Sequence, residues 1–160
     1  MTSPASPVTW TGRPTVTGTR HMVVSGHPWA SQAGFQILEA GGNAVDAGVA
    51  IGLAINVLES EMTGLAGVAP SMLRLAERAE VLTYVGVGPW PAAASAAFFR
   101  DRYAGRIPVG LLECVVPSAC GIWLDALKRF GTMTLAEVAE PAIRFARDGF
   151  PMYPFMAEVL

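Results

Sequence analysis

His27 to Val49 reads HPWASQAGFQILEAGGNAVDAGV, two small-residue helices in succession with a Gly-Gly break between them. Ala30, Ala33, Ile37 and Ala40 recur at i, i+3, i+7 and i+10, one apolar face at helical period. Pro28 stands in the first turn, where its missing N–H costs little. Gly41 and Gly42 end this helix where a positive φ is wanted. Asn43 then caps a second helix, with Asp46 three residues on in its acidic first turn. The second helix, about Ala44 to Leu58, is apolar nearly all round, so both its sides should be covered. Ala44, Gly48 and Gly52 lie four apart and make a flat stripe for close approach of a sheet or another helix.

Working outward, Met22 to Ser25 reads as a short strand leading into the first helix. Met72–Ala76 and Val81–Val85 are two largely apolar runs joined by Glu77–Glu80, which predicts a β-hairpin. Gly86, Gly88, Pro89 and Pro91 stop strand structure, and Ser95 caps a helix through Tyr103. Ser118 is placed to cap a helix ending near Phe130, with Gly131 as its stop. Thr134 and Glu137 form a T-x-x-E capping box for the next segment. Pro141 should divide that segment into two short helices, the second ending at Gly149. Phe155 to Leu160 reads as a helix without a stop signal.

Composition narrows the function classes. The 160 residues are 52% hydrophobic with a mean hydropathy of +0.40, which implies surfaces covered by another subunit or by the rest of a longer chain. A net charge of −2 and a pI near 5.6 argue against a nucleic-acid partner. Arg100, Arg102 and Arg106 are interrupted by Asp101 and read as a solvated face. The apolar run Ala44–Leu58 is shorter than the roughly 20 residues a spanning helix needs, so no membrane partner is expected. Met1 to Arg20 is rich in Ser, Thr, Pro and Gly and lacks a signal-peptide core; it reads as a flexible leader, with a cytoplasmic location as the default. Cys114 and Cys120 fit reduced core residues, two cysteines alone giving poor support to a disulfide or metal pair. His21 and His27 stand in no metal-ligand cluster, and Ser25 beside His27 is too local to imply a triad. No metal and no cofactor are expected. Glu59 and Glu61 read as solvated or structural rather than as an acid/base pair. Thr2 would become terminal on removal of Met1, but Ser3–Pro7 offer no rigid shell for a nucleophile.

The His27–Val49 passage resembles the opening of the γ-glutamyltransferase family, whose signature runs HP-x-A-S-x-x-G-x-x-I-L-x-x-G-G-N-A-V-D-A-x-V-A. VVPSACG (Val115–Gly121) is similar to the family's V-G-V-P-G-x-x-x-G, KRFGT (Lys128–Thr132) to K-R-Y-G-T, and PAIRFARDGFP (Pro141–Pro151) to P-A-I-x-L-A-x-x-G-F-P. The resemblance runs from Met22 to the C-terminus. It implies an α/β fold: a portion of an αββα four-layer sandwich, helix-rich in this chain, with residues 1–20 as leader and 21–160 as an incomplete large-subunit portion. It implies an N-terminal-nucleophile amidohydrolase or acyltransferase of glutathione metabolism. A precursor cleaves itself, and the Thr exposed at the start of the small subunit attacks a γ-glutamyl amide, its own amine serving as base. Only the early part of the large subunit is matched, so no catalytic residue is expected in this chain. The implied partners are the remainder of the large subunit, a Thr-initiated small subunit and a small amide substrate.

Two segments depart from the family pattern. The glycine-rich S-G-I-G-G-G-G segment stands here as TGLAGVAP (Thr63–Pro70), keeping Gly64 and Gly67. The D-G-R-E-x-A-P segment stands as VGVGPWP (Val85–Pro91). Gly86, Val87 and Gly88 are therefore the candidate substrate-binding residues, with Val87 at the family's Arg position. Valine cannot supply the bidentate guanidinium contact suited to an α-carboxylate. That puts γ-glutamyl recognition in question and opens specialisation for a non-glutamyl amide. The alternative reading is a non-catalytic packing or interaction module derived from the same scaffold.

Overall fold

The computed structural model describes residues 15–160. The elements in order are α1 (Pro28–Glu39), α2 (Ala44–Leu58), β1 (Ser71–Arg74), β2 (Val81–Tyr84), α3 (Ala96–Tyr103), a single 3-10 turn at Leu111–Glu113, α4 (Ala119–Phe130), α5 (Leu135–Asp148) and α6 (Pro154–Val159). The leader expected over residues 1–20 lies mostly outside the described residues; residues 15–20 are exposed.

α2 is the hub, packing against α1, α4 and α5. One side of the core joins Val45, Val49 and Ala50 of α2 to Ala126 and Leu127 of α4 and Val138 of α5, with Leu73, Leu75 and Tyr84 of the hairpin region laid on it. The other side joins Ala54 and Leu58 to Ala30 and Ala33 of α1 and Ala142 of α5, under Trp29, Phe145 and Phe150. The hairpin pairs antiparallel in the register Ser71↔Tyr84 to Arg74↔Val81. Tyr84 docks it to α4 by donating its O–H to Asp125 at 2.7 Å.

Asp46 ties the hub together. It is fully buried. Asn43 caps α2 as expected, and Asp46, expected only as a first-turn acid, closes a capping box with it, accepting the Asn43 backbone N–H at 2.7 Å while the Asn43 side chain accepts from Val45 and Asp46. The same carboxylate also reaches the corner between α4 and α5. It accepts the Thr132 hydroxyl at 2.7 Å, the Thr132 N–H at 3.0 Å and the Met133 N–H at 3.2 Å. Asn43 adds a bond of 2.6 Å from its side-chain amide to the Phe130 carbonyl. Burial alone would raise the Asp46 pKa, but the bonds from Thr132, Asn43 and Met133 outweigh it and hold the carboxyl below the ordinary aspartate value. Immediately after this corner, Thr134 and Glu137 form the expected reciprocal capping box.

Several local expectations are corrected. Met22–Ser25 alternates in exposure as a strand would, and Val23 touches α1 at Gly34, yet it pairs with no other strand among the described residues. An extended segment becomes a strand only when a neighbour takes its hydrogen bonds. Ala40 leaves the apolar face of α1 and is its exposed C-cap, ahead of Gly41 at φ 94°. Pro141 does not divide α5. The helix runs through it with the ring buried, so apolar packing on α2 offsets the lost hydrogen bond. Gly131 has an ordinary φ of −74°; it is needed because a Cβ there would strike Asp46 and Leu127. Cys114 is exposed rather than core, and both cysteines are free. α2 is not covered all round either: Ala44 and Gly48 are exposed, and only Gly52 of the small-residue stripe is a close contact, against the Trp123 ring.

Gly48→Ala should raise stability by about 0.5–1 kcal/mol, since a helix gains from the methyl group and space is open. Gly52→Ala should cost about 1–3 kcal/mol by forcing the indole aside. Urea midpoints of the two variants check this, and equal shifts would contradict the asymmetry. Asp46→Asn should cost about 2–3 kcal/mol at neutral pH by leaving buried N–H groups poorly paired. Because the folded pKa of Asp46 is lowered, its contribution is complete above the unfolded value, near pH 4, and is lost as pH falls through the folded value. The difference between native and variant should therefore shrink below about pH 4 in acid titrations of stability.

Candidate functional site

The two segments that depart from the family pattern are brought together with the start of α4. The Gly86 carbonyl accepts the Ala69 N–H at 2.9 Å and the Ser118 hydroxyl at 2.5 Å. The Gly67 carbonyl accepts the N–H groups of Ser118 and Ala119 at 3.0 and 3.1 Å. Two of the free amides at the N-terminus of α4 are thus satisfied by the 63–70 loop. Ser118 is not a side-chain cap, as its position suggested; its hydroxyl is turned to the 85–91 loop instead.

This crossing explains the two glycines of the candidate triplet. Gly86 is buried at φ 64°, and a Cβ would overlap the backbone of Ala69 and Pro70. Gly88 has Val116 where its Cβ would lie. Val87 projects between two fixed glycines, with 45% of its surface exposed. Trp90, also 45% exposed, leans on Phe99 of α3 at 5.6 Å between ring centres. The loop therefore presents an apolar side chain on a pinned backbone. That arrangement suits van der Waals contact with a small apolar group and offers no charged partner at Val87 for an anion.

The remaining candidates fall elsewhere. Arg100, Arg102 and Arg106 are exposed, Arg102 lying over Phe98 at 5.4 Å. His27 accepts the Trp29 N–H through Nδ1 at 3.2 Å and so caps α1. Among the described residues no three His, Cys, Asp or Glu side chains gather where they could hold a metal ion, and no helix is long and apolar enough to cross a membrane. Thr2 lies outside the described residues. Glu61 accepts the Tyr153 hydroxyl; that bond, burial and the charges of Glu61 and Glu59 push the Tyr153 phenol up to about 12.

Sequence reasoning missed a cleft of about 840 Å³ between α2, the hairpin and α4, lined by Gly48, Val49, Leu73, Arg74, Trp123 and Arg129 among others. The signal was available in Gly48, whose bare backbone leaves the floor open. In the sequence its spacing from Ala44 and Gly52 points to a packing contact instead.

A family profile described as Gamma-glutamyltranspeptidase matches residues 30–160. The chain is 42% identical over 153 residues to an acylase ACY 1 proenzyme of Pseudomonas sp. (strain V22), covering 90% of this chain and 27% of the relative. It is 40% identical over 141 residues to a glutathione hydrolase-like proenzyme of Bacillus subtilis, covering 86% and 26%. Among solved structures it resembles gamma-glutamyltranspeptidase of Helicobacter pylori, with a TM-score of 0.76 at 30% identity over 91% of this chain and 42% of that one. It also resembles cephalosporin acylase of Bacillus halodurans, with a TM-score of 0.72 at 30% identity over 95% and 30%. The chain spans about a quarter of the length of the curated relatives it matches.

Gly86→Ala should destabilise by more than about 2 kcal/mol, combining a left-handed φ with a backbone clash. Ser118→Ala, which removes one bond to the same carbonyl, should cost only about 1 kcal/mol. Thermal unfolding of both variants checks the ranking; a tolerated Gly86→Ala would contradict the crossing described here.

Proposed function

The chain belongs to the gamma-glutamyltranspeptidase family, and from that premise we propose that it is the N-terminal part of the large subunit of an amidohydrolase or acyltransferase that takes acyl groups other than γ-glutamyl. In this reading residues 21–160 contribute helices and a hairpin to an αββα four-layer sandwich completed by the remainder of the large subunit and a small subunit. Matches to relatives named as proenzymes support a self-cleaving precursor, and the covered fraction leaves ample chain for the nucleophile. That nucleophile is a Thr at the start of the small subunit, and this chain contributes none.

The observation that carries the specificity reading is Val87, an exposed apolar side chain held between Gly86 and Gly88 where the family places Arg. An α-carboxylate arriving there would lose water without gaining a charged partner, which is costly. An acyl group with no carboxylate loses nothing. The name of the relative at 42% identity, an acylase, fits this preference.

The complete enzyme should accordingly favour a neutral acyl amide over a matched γ-glutamyl amide in kcat/KM. Val87→Arg should move that ratio toward the γ-glutamyl substrate by about tenfold or more, the scale of one charge-assisted bidentate contact. A strong native preference for the γ-glutamyl amide would overturn the reading.

A further inference from the structure

A second concavity, of about 440 Å³, lies where the turn into α1, the C-terminal end of α2 and the segment before α6 meet. Its walls include three aromatic side chains and one carboxylate: His27, Trp29, Tyr153 and Glu59. The His27 ring lies 5.8 Å from Tyr153 and 6.1 Å from Trp29 between centres. Trp29 is stacked on Phe145 at 5.7 Å, so the wall is anchored from behind. His27 is fixed by the N–H it accepts from Trp29. Glu61 stands behind Tyr153, accepting its hydroxyl, and its second oxygen is buried without a hydrogen-bond partner.

Among the described residues, Glu59 at the cavity wall and Glu61 behind Tyr153 pair with no arginine, lysine or histidine, so the cavity carries negative charge without a counter-charge of its own. We propose that the cavity binds an organic cation, an ammonium or guanidinium head group seated against Trp29, Tyr153 and His27 with Glu59 as its counter-charge.

Aromatic faces attract a weakly hydrated cation, and a carboxylate at the rim supplies the opposite charge. A metal ion fits less well, because it needs several hard oxygen ligands, whereas much of the wall is ring carbon and proline. A neutral ligand would leave Glu59 uncompensated. The same head group could belong to a free small molecule or to an arginine side chain of a polypeptide.

The test titrates the protein, at constant ionic strength, with choline, with acetyl-argininamide and with dimethylbutanol, the uncharged carbon isostere of choline. The readout is the NMR shift of the Trp29 indole N–H. The proposal expects saturable millimolar binding of a cation and at least about tenfold weaker binding of the isostere. Glu59→Gln should weaken the cation about tenfold and leave the isostere unmoved. Tighter choline identifies a small-molecule site, and tighter argininamide a polypeptide side chain. Equal affinity for choline and its isostere overturns the proposal, as does the absence of any shift with both cations. Should Glu59→Gln fail to fold, the ratio between choline and its isostere in the native protein decides alone.

Discussion

Asp46 gives up all contact with water and replaces it with hydrogen bonds from Asn43, Thr132 and Met133. An isolated carboxylate in such a place would cost several kcal/mol or take up a proton. Here the donors prevail and the pKa falls instead, so the ionised form belongs to the folded state. Two parts of the chain separated by 86 residues are fixed by one side chain. The constraint propagates outward: Gly131 must lack a Cβ to let the carboxylate in, and Phe130 ends α4 with its carbonyl on Asn43. Two residues beyond Thr132, Thr134 starts α5.

The same helix carries the constraint to the candidate site. The C-terminal end of α4 is held by the Asp46 corner and its N-terminal end by Gly67. Ser118, at that N-terminal end, reaches across to Gly86 and pins the 85–91 loop. Val87 is thereby presented on a backbone that two glycines and the two hydrogen bonds to the Gly86 carbonyl leave little freedom. In the proposed reading a residue positioned in this way contributes selectivity because the cost of ordering it was met on folding. The loops at residues 63–70 and 85–91 differ from the family pattern together, and they touch each other.

Much of this was legible in the sequence wherever the physics is local. The Asn43 cap, the capping box at Thr134–Glu137, the positive φ at Gly41 and the bounds of α2 and α3 all follow from neighbours within four residues. What eluded sequence reasoning depends on distant partners. Asp46 read as a first-turn acid, and nothing in its spacing discloses Thr132. Ser118 read as a cap because the glycine carbonyl it prefers lies 32 residues away. Pro141 reads as a break, because its burial in a helix packed against α2 is a tertiary fact. Met22–Ser25 has the alternation of a strand without the neighbour that would make it one. Gly48 and Gly52 look alike in the sequence, and only the position of Trp123 tells them apart.

Asp46 makes the α4–α5 corner part of the core. Native-state hydrogen exchange at the amides of Thr132 and Met133 measures this. If the clamp holds, both amides exchange as slowly as those of Ala50 and Ala54 in the centre of α2, through the same global opening. Exchange as fast as that of the exposed turn at Arg78 and Glu80 would show the corner opening freely, and would contradict the account.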